Sequence, residues 1–346
     1  MRLLIVAPDI FPGDAVGNHC LSMTRAARRA GIEIALYAQR FATGSELVRP
    51  INEMFDRVRA DDTLFISYSI YDPFLERLLA LPCRRVCYFH GVTSPELLRE
   101  FEPVTADLCA RSYEQFLSLR QFDLLIANSH LTAQSLAPYM NTDKILVIPP
   151  VAADMPIFQH VPAPRADRAG LDLLVVGRVV PHKQIEDALA ILAQVRAAGV
   201  DVRLRVVGNA PNPTYSAFLA ERTDALAVRE RVRFEGKLDE QSLFRCFEDA
   251  GALLSVSRHE GFCVPVLEAM YFGLPTFVRS GTAASEVGEG ATVEFDSLTA
   301  ASAAIYRMYQ DCEFRRDLAL AGKRRAADVL ALSGDAVLQT VFLGAH

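Results

Sequence analysis

The 346 residues contain no run of about 18 apolar residues, which argues against a membrane-spanning helix. The apolar stretch opening the chain, MRLLIVA, is too short for the core of a secretory leader. Pro8 and Asp9 interrupt it, so it reads as a first strand. Basic residues are not in excess: 36 Lys and Arg face 42 Asp and Glu, a net charge of −6, which excludes a nucleic-acid footprint. The one local cluster, Arg25, Arg28 and Arg29, reads as a solvated helix face, with an anionic-membrane contact as the alternative. Seven cysteines are scattered with no Cys-x-x-Cys unit, so neither a zinc site nor a disulfide framework is indicated. Cys83, Cys87 and His90 make a poor ligand set, and a reducing cytoplasm suits such cysteines best. The first strand is not followed by Gly-x-Gly-x-x-Gly, which sets aside a nicotinamide dehydrogenase. Short repeats, low-complexity tracts and an Asp-x-Asp metal motif are absent as well.

What is present is an ordinary globular composition, 51% hydrophobic and 23% charged, on a chain long enough for two domains at roughly 100–200 residues each. Strands are expected at Leu3–Ala7, Ile32–Tyr37, Thr63–Ser67, Arg85–Phe89, Leu124–Ala127 and Ile145–Ile148, with helices such as Cys20–Ala30 and Pro73–Ala80 between them. That alternation predicts an α/β fold with a parallel sheet. Prolines 149, 150, 156, 162 and 164 then crowd a stretch without period, as a linker would.

The alternation restarts with strands Leu171–Val176, Val202–Val207, Val232–Phe234, Ala252–Val256 and Thr276–Val278. The intervening helices are Ile185–Ala198, a stretch near Tyr215–Ala225, Glu240–Glu248 and Pro265–Tyr271, and a helical tail follows from about Leu298. The expected division is 1–150, a linker over 151–165, a second domain over 166–325, and a tail over 326–346 that packs back on the first domain. Ligands of such sheets sit beyond the carboxyl ends of the strands.

The densest chemistry lies in Arg258-His-Glu-Gly-Phe-Cys-Val-Pro-Val-Leu-Glu-Ala-Met270. A buried strand ends at Val256, a loop through Gly261 follows, and Pro265 sits where a first helical residue tolerates a missing N–H. The amides from Cys263 to Leu267 would form an anion seat. Glu260 on the loop and Glu268 in the first helical turn have seven residues between them. That spacing lets one carboxylate reach a sugar and the other a ribose diol, with a diphosphate between. An acid so placed can also serve only the helix dipole.

The segment from Ser257 to Pro275 resembles the signature of family-4 glycosyltransferases of the GT-B fold: a Glu, seven residues and a second Glu, then Glu-Ala-Met and Gly-x-Pro. The resemblance implies two Rossmann-like domains facing across a cleft, and sugar transfer from a nucleotide diphosphate donor with retention at the anomeric carbon. A second matching piece, Gly177-Arg178-x(4)-Lys183, would place a guanidinium and an ammonium on the diphosphate. Gln184 stands where the family usually has Gly. Tyr88-Phe-His-Gly-Val-Thr-Ser-Pro95 is similar to a segment of O-antigen-type mannosyltransferases in which the histidine, here His90, faces the transferred sugar.

Gly17, in the opening loop Pro8–His19, is a candidate for lining the site, although a turn of this composition is expected anyway. Gly236, Lys237 and Leu238 match the loop that holds the base, which otherwise is a strand entering a turn. Gly261, Phe262, Cys263 and Val264 complete the expected donor contacts. Asn128 and Ser129 read as helix caps, as do Ser285 and Glu286.

Glu260, His90, Arg178 and Lys183 are therefore the expected catalytic group, and Glu268 the ribose ligand. No cofactor or metal is expected, because the two cations can take the place of Mg²⁺. GDP-mannose is the first-choice donor from the His90 segment, and a UDP-hexose the second. A glycan or lipid-linked oligosaccharide is the expected acceptor. The enzyme would then be cytoplasmic, with peripheral contact at the inner face of the plasma membrane. The alternative is a catalytically inactive nucleotide-sugar-binding partner of another transferase.

Overall fold

The computed structural model describes residues 2–11, 13–45, 47–163, 170–334 and 336–343. Pro12 of the opening loop, Pro164 and residues 165–169 around the expected domain start, and residues 335 and 344–346 of the tail lie outside the described residues. The chain divides into two compact units: Met1–Pro95 with Asp107–Met155 and Leu330–His346, and Glu96–Ala106 with Pro156–Val329.

Among the described residues, the first unit carries seven parallel strands: β1 (Arg2–Ile10), β2 (Glu33–Phe41), β3 (Val48–Pro50), β4 (Thr63–Tyr68), β5 (Arg84–Phe89), β6 (Leu124–Ala127) and β7 (Leu146–Val147). Their order is β3-β2-β1-β4-β5-β6-β7, so the direction of winding reverses between β1 and β4. Strands covered on both faces need near-continuous apolar runs, as in Leu3–Ala7 and Leu64–Ile66, all buried. β1 runs on through Pro8 and Asp9 to Ile10. Its pairing with β4 stops at Val6 while that with β2 continues, so from there a residue without an N–H is tolerated.

The first helix begins at Ala15 rather than Cys20. Asp14 caps it, its carboxylate accepting the Val16 N–H at 3.2 Å, and Arg28 and Arg29 occupy its carboxyl-terminal turn. Gly17 and His19 are therefore helical, not part of a loop. Arg25 and Arg29 both bond Asp154, so the basic cluster is partly neutralised within the unit. A helix over Ala336–Leu343 adds Val337, Leu338 and Val341 to the core built on Leu3, Ile5, Met23 and Ile126.

The second unit carries β8 (Leu171–Val176), β9 (Val202–Val207), β10 (Val232–Gly236), β11 (Ala252–Ser255), β12 (Thr276–Arg279) and β13 (Val293–Phe295). All are parallel in the order β10-β9-β8-β11-β12-β13, and winding reverses between β8 and β11. Its core joins Leu173, Leu204 and Phe277 of the sheet to Ile185, Leu189 and Leu192 of the following helix. Phe101, from the stretch 96–106, packs on Tyr215 and Phe218 of this unit, and its carbonyl accepts the Asn212 side-chain amide at 2.7 Å.

Candidate active site

In a doubly wound sheet, the crevice opens where neighbouring connections leave to opposite faces, beyond the carboxyl ends of the strands. In the second unit that point lies between β8 and β11. The loop after β8 carries Gly177, Arg178 and Lys183, and the loop after β11 carries Ser257, Glu260 and Cys263. Gly177, Arg178, Lys183, Ser257, Cys263 and Pro265 line one narrow crevice there.

Three glycines stand at the ends of β8, β9 and β10, and the first of them lines the crevice. Gly177, Gly208 and Gly236 all have positive φ, at 144°, 148° and 68°. A Cβ on Gly208 would lie 1.9 Å from the Gly177 carbonyl oxygen, so the two backbones touch in a way only glycine allows. The Gly208 N–H in turn bonds the Gly236 carbonyl at 2.8 Å. The peptide expected to meet a base is thus joined through Gly208 to the one that carries Arg178. Gly208 escaped the sequence reading, although Val-Val-Gly closing both β8 and β9 was a visible signal.

Two further positions lie in the left-handed region without being glycine. Gln184 has φ 51° and ψ 49°, so the turn after Lys183 has the shape a glycine would give. Its side-chain amide donates to the Pro181 carbonyl at 2.9 Å, helping to hold that turn. Cys263 has φ 77°, immediately before the helix Val264–Tyr271. Such residues cost about 1–2 kcal/mol each in backbone conformation and gather where a site dictates geometry.

Lys183 Nζ lies 2.6 Å from Glu260 Oε1, and the Arg258 N–H bonds the His182 carbonyl at 2.9 Å, tying the two loops together. Burial would push the Glu260 carboxyl up. The charge and hydrogen bond of Lys183, with a further bond from Ser257, outweigh it and hold the group below its ordinary value. Burial would likewise lower the Lys183 ammonium, and Glu260 reverses that too, so it stays charged. Arg178 is exposed and makes no ion pair among the described residues.

Glu268 is the fifth residue of its helix, in the second turn rather than the first, because the helix starts at Val264. It is 6% exposed, and burial alone pushes its carboxyl up to about 7. Of the amides expected to form an anion seat, Pro265 has none and that of Val266 bonds the Cys263 carbonyl. Gly261 and Val264 are half-buried, Phe262 is buried, Lys237 is exposed and Leu238 half-buried.

The other candidates belong to the first unit. His90 follows β5, its Nε2 2.6 Å from Ser67 Oγ at the end of β4. Burial lowers its imidazole to about 3, so the ring is neutral. Gly17 lies against the Phe11 backbone, where a Cβ would come within 2.1 Å of the carbonyl oxygen; close packing accounts for this glycine. Ser129 caps the helix His130–Gln134 with a reciprocal Thr132 box, while Asn128 donates to the His90 carbonyl at 3.3 Å. Ser285 and Glu286 lie inside the helix Ala283–Gly288, whose flanking residue is Thr282, so they are not its caps. No group of three or more His, Cys, Asp or Glu that could hold a metal occurs among the described residues. Nor is any described helix long and apolar enough to cross a membrane.

Residues 162–325 match the family model for glycosyl transferases group 1. That match falls within the second unit. The chain is 28% identical over 219 residues to an MMP α-(1→4)-mannosyltransferase of Mycolicibacterium hassiacum. The match takes in 60% of this chain and half the length of that relative. Among solved structures, WaaG, a glycosyltransferase involved in lipopolysaccharide biosynthesis, superposes with a TM-score of 0.76 at 13% identity, covering 99% of this chain and all of that one. Anabaena HepE in complex with UDP-glucose gives 0.73 at 15%, covering 99% and 98%. The fold is GT-B, with two Rossmann-like units.

Proposed function

We propose that the chain is a retaining glycosyltransferase that moves a hexose from a nucleotide diphosphate donor to a hydroxyl of a glycan or lipid-linked saccharide. The observation that carries this reading is the Lys183–Glu260 pair at the β8–β11 crevice, with Arg178 bordering the same crevice. Arg178 and Lys183 stabilise the diphosphate as its bond to the sugar breaks, an electrostatic role that asks for cations fixed in advance. Glu260, held ionised and directed by Lys183, orients the sugar. The acceptor hydroxyl approaches the face that the diphosphate leaves, and the departing phosphate oxygen takes its proton. Glu268 accepts hydrogen bonds from the ribose diol, and His90 meets the transferred sugar.

Mannose is the first choice of sugar and GDP of carrier, in line with the His90 segment and with the name of the Mycolicibacterium relative. A UDP-hexose is the second, the class of ligand that HepE holds. The enzyme works in the cytoplasm and meets a lipid-linked acceptor at the inner face of the plasma membrane.

Thermal unfolding with GDP-, UDP- and dTDP-sugars tests the donor. A ligand at a hundredfold excess over its Kd adds about 2.7 kcal/mol to the folded state, a rise of several degrees. GDP-mannose should give the largest rise, and Lys183→Ala should bind the donor yet turn over at least about tenfold more slowly. The reading fails if no nucleotide sugar moves the transition, or if Lys183→Ala is fully active.

A further inference from the structure

The two loops of the β8–β11 crevice are joined at a second place by a residue that belongs to neither. Arg279 is the last residue of β12 and is not among those that line the crevice. Its Nε donates to the Val256 carbonyl at 3.0 Å, and its Nη2 lies 2.5 Å from Asp187 Oδ2. Val256 directly follows β11, and its carbonyl is part of the peptide bond leading into Ser257. Asp187 is the third residue of the helix Ile185–Ala197, four positions after Lys183. One guanidinium thus links the root of the loop that carries Glu260 to the helix that follows Lys183.

The turn that carries Lys183 is thereby held at both ends, at the His182 carbonyl by the Arg258 N–H and at Asp187 by Arg279. Between those ends lies Gln184 with its left-handed backbone. Arg279 is itself well anchored. Its guanidinium carbon stands 5.6 Å from the centroid of the Phe295 ring, and its carbonyl accepts the Thr282 hydroxyl at 2.8 Å. The side chains of Arg279 and Asp187 are only 15% and 18% exposed, so water and salt screen the pair less than one at the surface. An acid in a first helical turn serves the helix dipole wherever its side chain points, so the dipole does not account for the bond to Arg279. A planar fork can meet a carbonyl and a carboxylate at once, which the single point charge of lysine cannot do.

We propose that Arg279 is a positioning residue for the crevice: by holding Asp187 and the Val256 carbonyl together, it sets the approach of Lys183 to Glu260. The consequence for turnover rests on the proposed glycosyl transfer, and the consequence for Glu260 does not. Burial pushes the Glu260 carboxyl up, while Lys183, the Ser257 hydrogen bond and His259 bring it down. Ser257 and His259 share the loop of Glu260, whereas Lys183 comes from the other loop and depends on the strut. If Lys183 draws away, burial regains ground and the carboxyl rises.

Carbon-13 NMR of the full chain, labelled at the glutamate carboxyls and assigned with Glu260→Gln, follows the titration of Glu260. In the wild type its midpoint should lie below the ordinary 4.5. Arg279→Lys keeps the charge and gives up the fork, and Asp187→Asn keeps the shape and gives up the ion pair. Each should raise the midpoint by about one pH unit. Removing the Asp187 charge would by itself lower it, so a rise there reports movement of Lys183. In transfer assays each variant should lose about tenfold or more in kcat with a smaller change in KM, the pattern of misplaced groups on a bound donor. On a Lys183→Ala background, Arg279→Lys should cost less than about twofold, because the group it positions is gone. A merely structural strut would cost the same with or without Lys183. That equal loss, an unmoved Glu260 midpoint, or unfolding of both variants would overturn the proposal; if one variant unfolds, the other decides. If the midpoint rises but the wild type turns over no nucleotide sugar, the glycosyl-transfer reading fails and the positioning role stands.

Discussion

Glu260 and Glu268 are both buried, yet their surroundings separate them. Glu260 meets an ammonium and is held below its ordinary value, whereas the Glu268 carboxyl takes no hydrogen bond among the described residues and is pushed up to about 7. A carboxyl raised in the folded state binds protons that the unfolded chain has already released. The penalty for ionising Glu268 is therefore absent below its ordinary 4.5 and complete above 7, so stability falls as pH rises across that window. Glu268→Gln should abolish this fall, a difference on the order of 3 kcal/mol between pH 4.5 and 8 in denaturant titrations. A ribose diol prefers the carboxylate, so donor binding near pH 7 should release part of a proton. Calorimetry in two buffers of different ionisation heat would show it, and identical heats would remove Glu268 from the donor site.

Strands with a short apolar run or an apolar alternation were readable in the sequence: Leu124–Ala127, Leu171–Val176 and Val202–Val207 match residue for residue. Elements that depend on their neighbours were not. Val48–Pro50 and Val293–Phe295 are three-residue edge strands, too short to show a period. The helix Pro103–Gln115 mixes polar and apolar positions without a clean stripe. The helix Ala15–Arg29 was shortened because Gly17 and Asn18 resemble breakers, while the reason for Gly17 is the Phe11 backbone. In the site, the charged residues were legible because they fall in two local groups, Arg178 with Lys183 and Glu260 with Glu268. Gly208 was not, since its partners come from other strands. The glycine row gives a direct test. Gly208→Ala must displace the Gly177–Arg178 backbone and should cost about 2–5 kcal/mol, with weaker donor binding. Gly199→Ala also has positive φ, at 88°, but meets nothing within 4 Å. It should cost only about 1 kcal/mol in the same unfolding experiment and leave donor affinity unchanged. Equal losses would show that the backbone contact does not matter.

At the scale of the whole molecule, the proposed chemistry relies on fixed cations. Initial rates should be indifferent to EDTA and to added Mg²⁺. Loss of activity on chelation, restored by the metal, would show that Arg178 and Lys183 do not neutralise the diphosphate unaided.

The path of the chain through the first unit also bears on how it matures. Once a ribosome has delivered residue 155, all seven strands of the first sheet exist. The apolar patch over Leu3, Met23 and Ile126 still lacks Val337, Leu338 and Val341, which are made some 180 residues later. At translation rates of about 5–20 residues per second, that patch stays uncovered for roughly ten seconds or more. The unit that is synthesised first is thus sealed last. During that interval it is the natural place for a chaperone to hold the nascent protein, or for a stalled chain to aggregate.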